Sequence, residues 1–205
     1  MSIAHRPSSR RTPRQERARL SHDAILDATE QLVETSGIRD TPSTNHIAER
    51  AGVSVGTLYQ YFDGRRAILH ALCRRHAGQM RALFVEHTGP VRGEPVSVAI
   101  PAFVDALAHA HALAPRLHLL LVREMLTDGG ALMLDVQEPV RGLVETWLEA
   151  HRDEIRPKDI PAAASLLTLT AEGAIHLQLI ADPKRLQDVG WRREVSDMMV
   201  RYLVA

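Results

Sequence analysis

Apolar residues recur at helical spacing along most of the chain. Ile25, Leu26, Ala28, Leu32 and Val33 mark one face of a first helix, with Ser21 placed to cap its start and Gly37 to close it in a left-handed turn. Residues 38–43, containing Pro42 and Ser43, read as a turn. A short second helix is expected from Thr44 to Ala51, with Ile47, Ala48 and Ala51 inward and Gly52 ending it. Ser54 caps a third, Val55 to Phe62, before Asp63-Gly64 interrupts again. Helices this short do not hold themselves up and must pack on one another.

From Arg65 the apolar positions describe longer amphipathic helices, at about 65–87, 96–113, 116–126, 130–153, 159–181 and 185–203. Gly89-Pro90, Pro115, Gly129-Gly130, Pro157, Pro161 and Pro183 punctuate them. Pro101 either sits early in its helix or starts it. Strict alternation, the mark of a half-buried strand, is absent, and no internal repeat is visible. The fold class is all-α.

Composition agrees. Hydrophobic residues make up 45% of the 205 positions, enough for a core without disulfides, and aromatics only 4%. Cys73 is the one cysteine, which excludes an internal disulfide. No apolar stretch approaches the ~18 residues a bilayer span requires, and Met1 to Leu20 lacks the apolar core of a secretory signal, so a cytoplasmic protein is expected. The net charge of +0 conceals a local excess: Arg6, Arg10, Arg11, Arg14, Arg17 and Arg19 face only Glu16. Residues 1–20 therefore read as a basic flexible arm able to order on a DNA groove.

The segment Thr44 to Phe62 carries the chemistry. Ala48 is small enough for the next helix to cross closely, Gly52 accepts a positive φ, and Val53 fills the angle between the helices. Leu58 and Phe62, four apart, pin the third helix inward. That leaves Val55, Gly56, Thr57, Tyr59, Gln60 and Tyr61 facing out. A helix in the major groove reads bases with such a set while the preceding helix crosses the backbone. Val55 or Thr57 suits a thymine methyl, Gln60 an adenine, and the tyrosine hydroxyls phosphates.

Residues 21–70 resemble the DNA-binding head of the TetR family of bacterial regulators. Ala24-Ile25-Leu26-Asp27-Ala28 is similar to that family's first helix. Ile47-Ala48-Glu49-Arg50-Ala51-Gly52-Val53-Ser54, then Gly56-Thr57-Leu58-Tyr59 and Tyr61-Phe62, follows its signature nearly position by position. The resemblance implies DNA contacts from Thr44 and Asn45 ahead of the second helix, then Val55, Gly56, Thr57, Tyr59, Gln60, Tyr61 and Arg65. Val55, where the family often has lysine, and the acidic turn Asp63-Gly64 depart from its pattern. The implied layout is a basic arm at 1–20, a three-helix helix-turn-helix domain at 21–66, and a larger helical ligand-binding and dimerisation domain at 67–205. The implied function is a sequence-specific transcriptional regulator, a repressor released from a palindromic operator by a small molecule. His111, Pro115, Leu117-His118 and Glu124, with Arg156-Pro157 and Glu172-Gly173, resemble one group of the family's bodies, and name no ligand.

One head contacts too little DNA for specificity, so a homodimer on two half-sites is expected. The resemblance places its interface on the last two helices, at Leu166, Thr170, Gly173, Ala174, Leu177, Val195, Met198 and Met199; the same stripe also reads as internal core. Met80, Phe84, Phe103, Leu107, Leu121, Met125, Trp147 and His176 are the candidate liners of a pocket for a small apolar or aromatic ligand.

Two rival readings are an architectural DNA binder without a ligand and a metal-responsive regulator. His70, Cys73 and His76 lie at successive i, i+3 positions, but spread over about 120° of the helix, and His109 and His111 point to nearly opposite sides of another. Solvated surface histidine is the better account, and neither a metal nor another cofactor is expected. Phosphate loops, nucleophile elbows and zinc-protease patterns are missing, and Glu124 with Asp128 reads as a solvated face, so an enzyme is not expected.

Overall fold

A computed structural model of the protein describes residues 13–35, 42–127 and 130–204, which form nine α-helices and no strand. They divide into two compact units between Ile68 and Leu69.

The first unit holds α1 (Pro13–Thr35), α2 (Thr44–Ala51), α3 (Val55–Tyr61) and the first turn of α4 (Gly64–Thr88). α1 packs on both α2 and α3. Ile25, Leu26, Ala28, Val33, Ile47, Ala48, Leu58, Phe62 and Ile68 are its buried apolar residues. Thr29, equally buried, satisfies its hydroxyl by donating to the Ile25 carbonyl at 2.8 Å. Ser21 lies inside α1 rather than at its cap, because the helix begins at Pro13 and takes in residues 13–20 of the expected arm. Proline suits a first turn, which needs no amide from it, and the Arg, Gln and Glu that follow are good helix formers. An i, i+4 pair, Arg19 with Asp23 at 3.7 Å, adds modest support. Residues 1–12 of the arm, and Gly37, lie outside the described residues.

The second unit is a bundle of the rest of α4 with α5 (Val96–Ala112), α6 (Pro115–Met125), α7 (Ala131–Ala150), α8 (Ile160–Ala181) and α9 (Val189–Val204). α8 packs on α5, α6, α7 and α9. Its core joins Ile100 and Val104 of α5, Trp147 and Leu148 of α7, Ala164 and Leu167 of α8, and Met199 and Leu203 of α9. Side-chain carboxylates tie up helix ends. Glu154 accepts the Val96 amide at 3.1 Å at a helix start that has no side-chain cap of its own, and Asp159 caps α8 by accepting from Ala162 at 3.0 Å. Pro101 lies within α5, which begins at Val96.

Contrary to the sequence expectation, α8 is long and apolar enough, by length and composition, to cross a bilayer. Half of that apolarity belongs to the bundle: Ile160, Ala163, Ala164, Leu167, Ala171, Ile175 and Leu179 are buried, while Leu166, Leu169, Leu177 and Ile180 form a separate exposed stripe. Glu172 in mid-helix lies against two histidines of the same unit.

Candidate functional site

The turn between α2 and α3 is built by local signals. Ser43 adopts extended φ and ψ and its hydroxyl accepts the His46 amide at 3.3 Å, so Thr44 and Asn45 stand in the first turn of α2 rather than ahead of it. Gly52 takes φ 67°, and the Val53 amide donates back to the Ala48 carbonyl at 3.0 Å. Ser54 repeats the capping geometry, accepting the Thr57 amide at 3.0 Å, and its hydroxyl also pairs with that of Thr57 at 2.8 Å. Leu58 and Phe62 are buried as their spacing requires, with His22 of α1 stacked on the Phe62 ring at 4.9 Å.

The opposite face of α3 stays open. Val55, Gly56, Tyr59 and Gln60 are exposed, Thr57 and Tyr61 half-buried. Thr44 is half-buried and Asn45 and Arg65 exposed. The Thr44 and Tyr59 hydroxyls lie 3.5 Å apart, so the start of α2 and the middle of α3 share one surface. Arg50, on α2, donates to Gln31 of α1 at 3.0 Å.

In the second unit the eight candidate liners fall into two small neighbouring cavities. Phe84, Phe103, Leu107 and Trp147 line one of about 50 Å³, almost wholly apolar. Met80, Leu121, Met125 and His176 line another of about 60 Å³. Val140 and Glu172 border both. The Trp147 indole donates to the Arg92 carbonyl at 3.1 Å and packs edge-on against Phe103. Neither cavity reaches the ~300 Å³ typical of small-molecule pockets. A larger recess, about 830 Å³ between α5 and the segment around Leu186, is open at the surface and contains none of the eight.

The second cavity holds what spacing along single helices missed. His76, His111, His118 and His176 are buried, which corrects the reading of His76 and His111 as surface groups and agrees with His176 as a cavity liner. α5 and α6 bend by 98° at the break between them, which brings His111 and His118 together with ring centroids 4.1 Å apart. The His176 ring lies tilted against both, its centroid 5.2 Å from that of His111 and 5.0 Å from that of His118. Glu172 Oε2 lies 3.4 Å from His111 Nε2 and 3.1 Å from His176 Nε2. His76 Nε2 meets His118 Nδ1 at 2.9 Å. Burial, with the His111 and Arg75 charges, pushes His76 down to about 4, and burial above all drives His118 further below the usual range. Burial alone would raise the Glu172 carboxyl, but the facing His111 and His176 outweigh it and hold it well below ordinary values. His70 lies apart, 3.7 Å from Glu124, and Asp128 is outside the described residues.

The expected dimer face divides. Leu166, Leu177 and Met198 are exposed, 49%, 70% and 50%, and Thr170, Gly173 and Ala174 half-buried. Val195 and Met199 instead belong to the bundle core. They occupy the inner side of α9, and apolar periodicity alone does not tell a helix's own core from a partner.

Two family models match the chain: "Bacterial regulatory proteins, tetR family" over residues 25–72 and "Tetracyclin repressor-like, C-terminal domain" over residues 95–203. An uncharacterized HTH-type transcriptional regulator of Mycobacterium tuberculosis is 42% identical over 66 residues, 31% of each chain. The uncharacterized HTH-type transcriptional regulator YvkB of Bacillus subtilis is 32% identical over 71 residues, 35% of this chain and 37% of its own. The matches thus span about a third of these relatives' length. Among solved structures, the fatty acid degradation regulator FadR of Bacillus halodurans superposes with a TM-score of 0.67 at 20% identity, covering 94% of this chain and 97% of that one. FadR of Bacillus subtilis, in complex with stearoyl-CoA, gives 0.62 at 21% identity over 88% and 98%. A protein with unknown function from Rhodococcus sp. RHA1 gives 0.70 at 19% identity over 98% and 100%.

Proposed function

Because this chain belongs to the tetR family of bacterial regulatory proteins and is a helix-turn-helix transcriptional regulator, we propose that it binds a pseudo-palindromic operator as a homodimer and is released from it by a small apolar or aromatic molecule. The observation that carries this reading is the exposed face of α3. Val55, Gly56, Tyr59 and Gln60 lie open on a helix whose other side is locked by Leu58 and Phe62. Thr57 and Tyr61 flank that face, Thr44 and Asn45 stand at the start of α2, and Arg65 adds a cation for phosphate.

The second unit supplies the sensor. The cavity at Phe84, Phe103, Leu107 and Trp147 is the apolar end. A ligand of ordinary size must open it, and that differential demand is what shifts a two-state equilibrium. Stearoyl-CoA in the Bacillus subtilis FadR complex is an example of a ligand with a long apolar part, and an acyl chain is the class to try first. The stripe Leu166, Leu169, Leu177 and Ile180 with Met198 is the dimer face.

The test is selection of bound duplexes from a random pool, followed by challenge of the complex with acyl-CoAs and aromatic acids. Recovery of a two-fold symmetric sequence and its release by one ligand class support the reading. A pool that stays unenriched at every salt concentration contradicts it and favours an architectural DNA binder.

A further inference from the structure

The histidine cluster of the second cavity plays no part in reading DNA, and its chemistry is unlike that of the apolar cavity beside it. We propose that His111, His118, His176 and Glu172 form a binding site for a divalent transition-metal ion, with zinc as the reference case. The proposal does not rest on the DNA-binding reading.

Geometry carries it. One ring nitrogen from each of the three histidines lies within 4.8 Å of the others, and all three residues are buried. Nitrogens bound to one zinc at 2.0–2.1 Å stand roughly 3.3 Å apart, so the widest pair closes by roughly 1.5 Å through small side-chain rotations. The protonation pattern points the same way. A carbonyl only accepts, so the 2.7 Å contact of His111 Nδ1 with the Leu107 carbonyl places a proton on Nδ1. In the neutral ring the lone pair is then on Nε2, which faces the Glu172 carboxylate at 3.4 Å. The ring nitrogen and the carboxylate turned toward each other inside a protein call for positive charge between them, supplied by a second ring proton on His111 or, in its place, by a metal ion.

His118 repeats the arrangement. Its Nδ1 is engaged by His76 at 2.9 Å, while Nε2 is buried with no hydrogen-bond partner among the described residues. A metal-bound imidazole is normally held in this way, one nitrogen on the ion and the other on an outer group, here the Leu107 carbonyl for His111 and His76 for His118. Glu172 and His176 are one turn apart on α8 and share a face. Imidazoles with one carboxylate suit zinc, nickel, cobalt or iron rather than magnesium or calcium, which prefer all-oxygen shells. The same carboxylate repels an anion. The cavity of about 60 Å³ has room, as it stands, for an ion and a water. An ion here would clamp α5, α6 and α8 and reach α4 through His76.

Full-length protein stripped with a chelator and titrated with Co²⁺ tests this. Expected are one cobalt per chain, the intense visible absorption of a tetrahedral cobalt site, its displacement by Zn²⁺, and a rise in Tm. His111→Gln and His176→Gln, each first shown to keep the wild-type helical circular dichroism, should abolish the absorption. His76→Gln should weaken binding by roughly 10–100-fold as an outer-group change. His109→Gln, at an exposed histidine, should leave it unaltered. If His118→Gln fails to fold, the His111 and His176 variants still decide. No stoichiometric cobalt uptake, or uptake undiminished in both of those variants, overturns the proposal.

Discussion

The hydroxyls of Thr44 and Tyr59, fifteen residues apart in sequence, stand 3.5 Å from each other and join the first turn of α2 to the outer face of α3. The contact places the two hydroxyls on one surface, the one proposed to meet DNA. Tyr59 is 54% exposed, so Tyr59→Phe should change stability by no more than about 0.5 kcal/mol. If the Tyr59 hydroxyl meets a phosphate as proposed, its loss should nevertheless weaken DNA binding about tenfold. Thermal melting and fluorescence anisotropy, run on the same preparation, separate the two effects.

Gly56 offers a sharper separation. A Cβ placed there would have only the Ser54 hydroxyl within 4 Å, at 3.8 Å, an ordinary contact. The fold therefore does not require glycine at this position, and Gly56→Ala should hold or raise Tm, by up to about 1 kcal/mol of helix propensity. If α3 lies against DNA, the added methyl should lower operator affinity. Unchanged affinity would remove Gly56 from the contact surface.

Gly52 is the contrasting glycine. It too has open space around it, but its φ of 67° is costly for a side chain. Gly52→Ala should destabilise the first unit by about 1–2 kcal/mol and weaken DNA binding only in proportion. Circular dichroism melting, with binding measured well below the transition, checks the proportionality.

Much of the first unit was legible because its signals are local. Gly52, Ser54, Leu58 and Phe62 each act within one turn of themselves, and the ends of α2 and α3 fall within a residue of where those signals put them. The start of α1 was not legible, since residues 13–20 have only Ala18 and Leu20 as apolar positions and present a polar run whose helicity comes from propensity. The histidine cluster was hidden for a different reason. His76, His111, His118 and His176 come from four helices and meet only through packing, which spacing along one helix does not register. Of the four, the sequence places only His176 in the interior, as a candidate cavity liner on an apolar helix.

The exposed stripe on α8 should hold two chains together. Leu177, 70% exposed, makes the cleanest probe. Leu177→Glu should convert a dimer into monomers by sedimentation velocity while helix content stays the same, because little of the side chain is packed within the subunit. A variant that still sediments as a dimer would move the interface away from α8.

Trp147 is a built-in reporter for the apolar cavity. It is buried, bonded to the Arg92 carbonyl and edge-on to Phe103, and Trp191, the other tryptophan, does not line that cavity. An acyl ligand entering there should shift the emission of a Trp191→Phe variant saturably. Phe103→Ala should enlarge the cavity, lower stability by less than the ~3–5 kcal/mol of a fully buried phenylalanine because Phe103 is half-buried, and alter ligand affinity. A saturable shift absent from the Trp191→Phe variant but present in a Trp147→Phe variant that keeps Trp191 would place the ligand elsewhere.

The central claim is that the open face of α3 reads base sequence, and Gln60 tests it most directly. Affinity would be measured for wild type and Gln60→Ala on the selected duplex, on a scrambled duplex, and on variants of each base pair. The account predicts about 1–3 kcal/mol lost on the selected duplex, little change on the scrambled one, and relaxed discrimination at one position per half-site. Equal losses on both duplexes, or none on either, would contradict it.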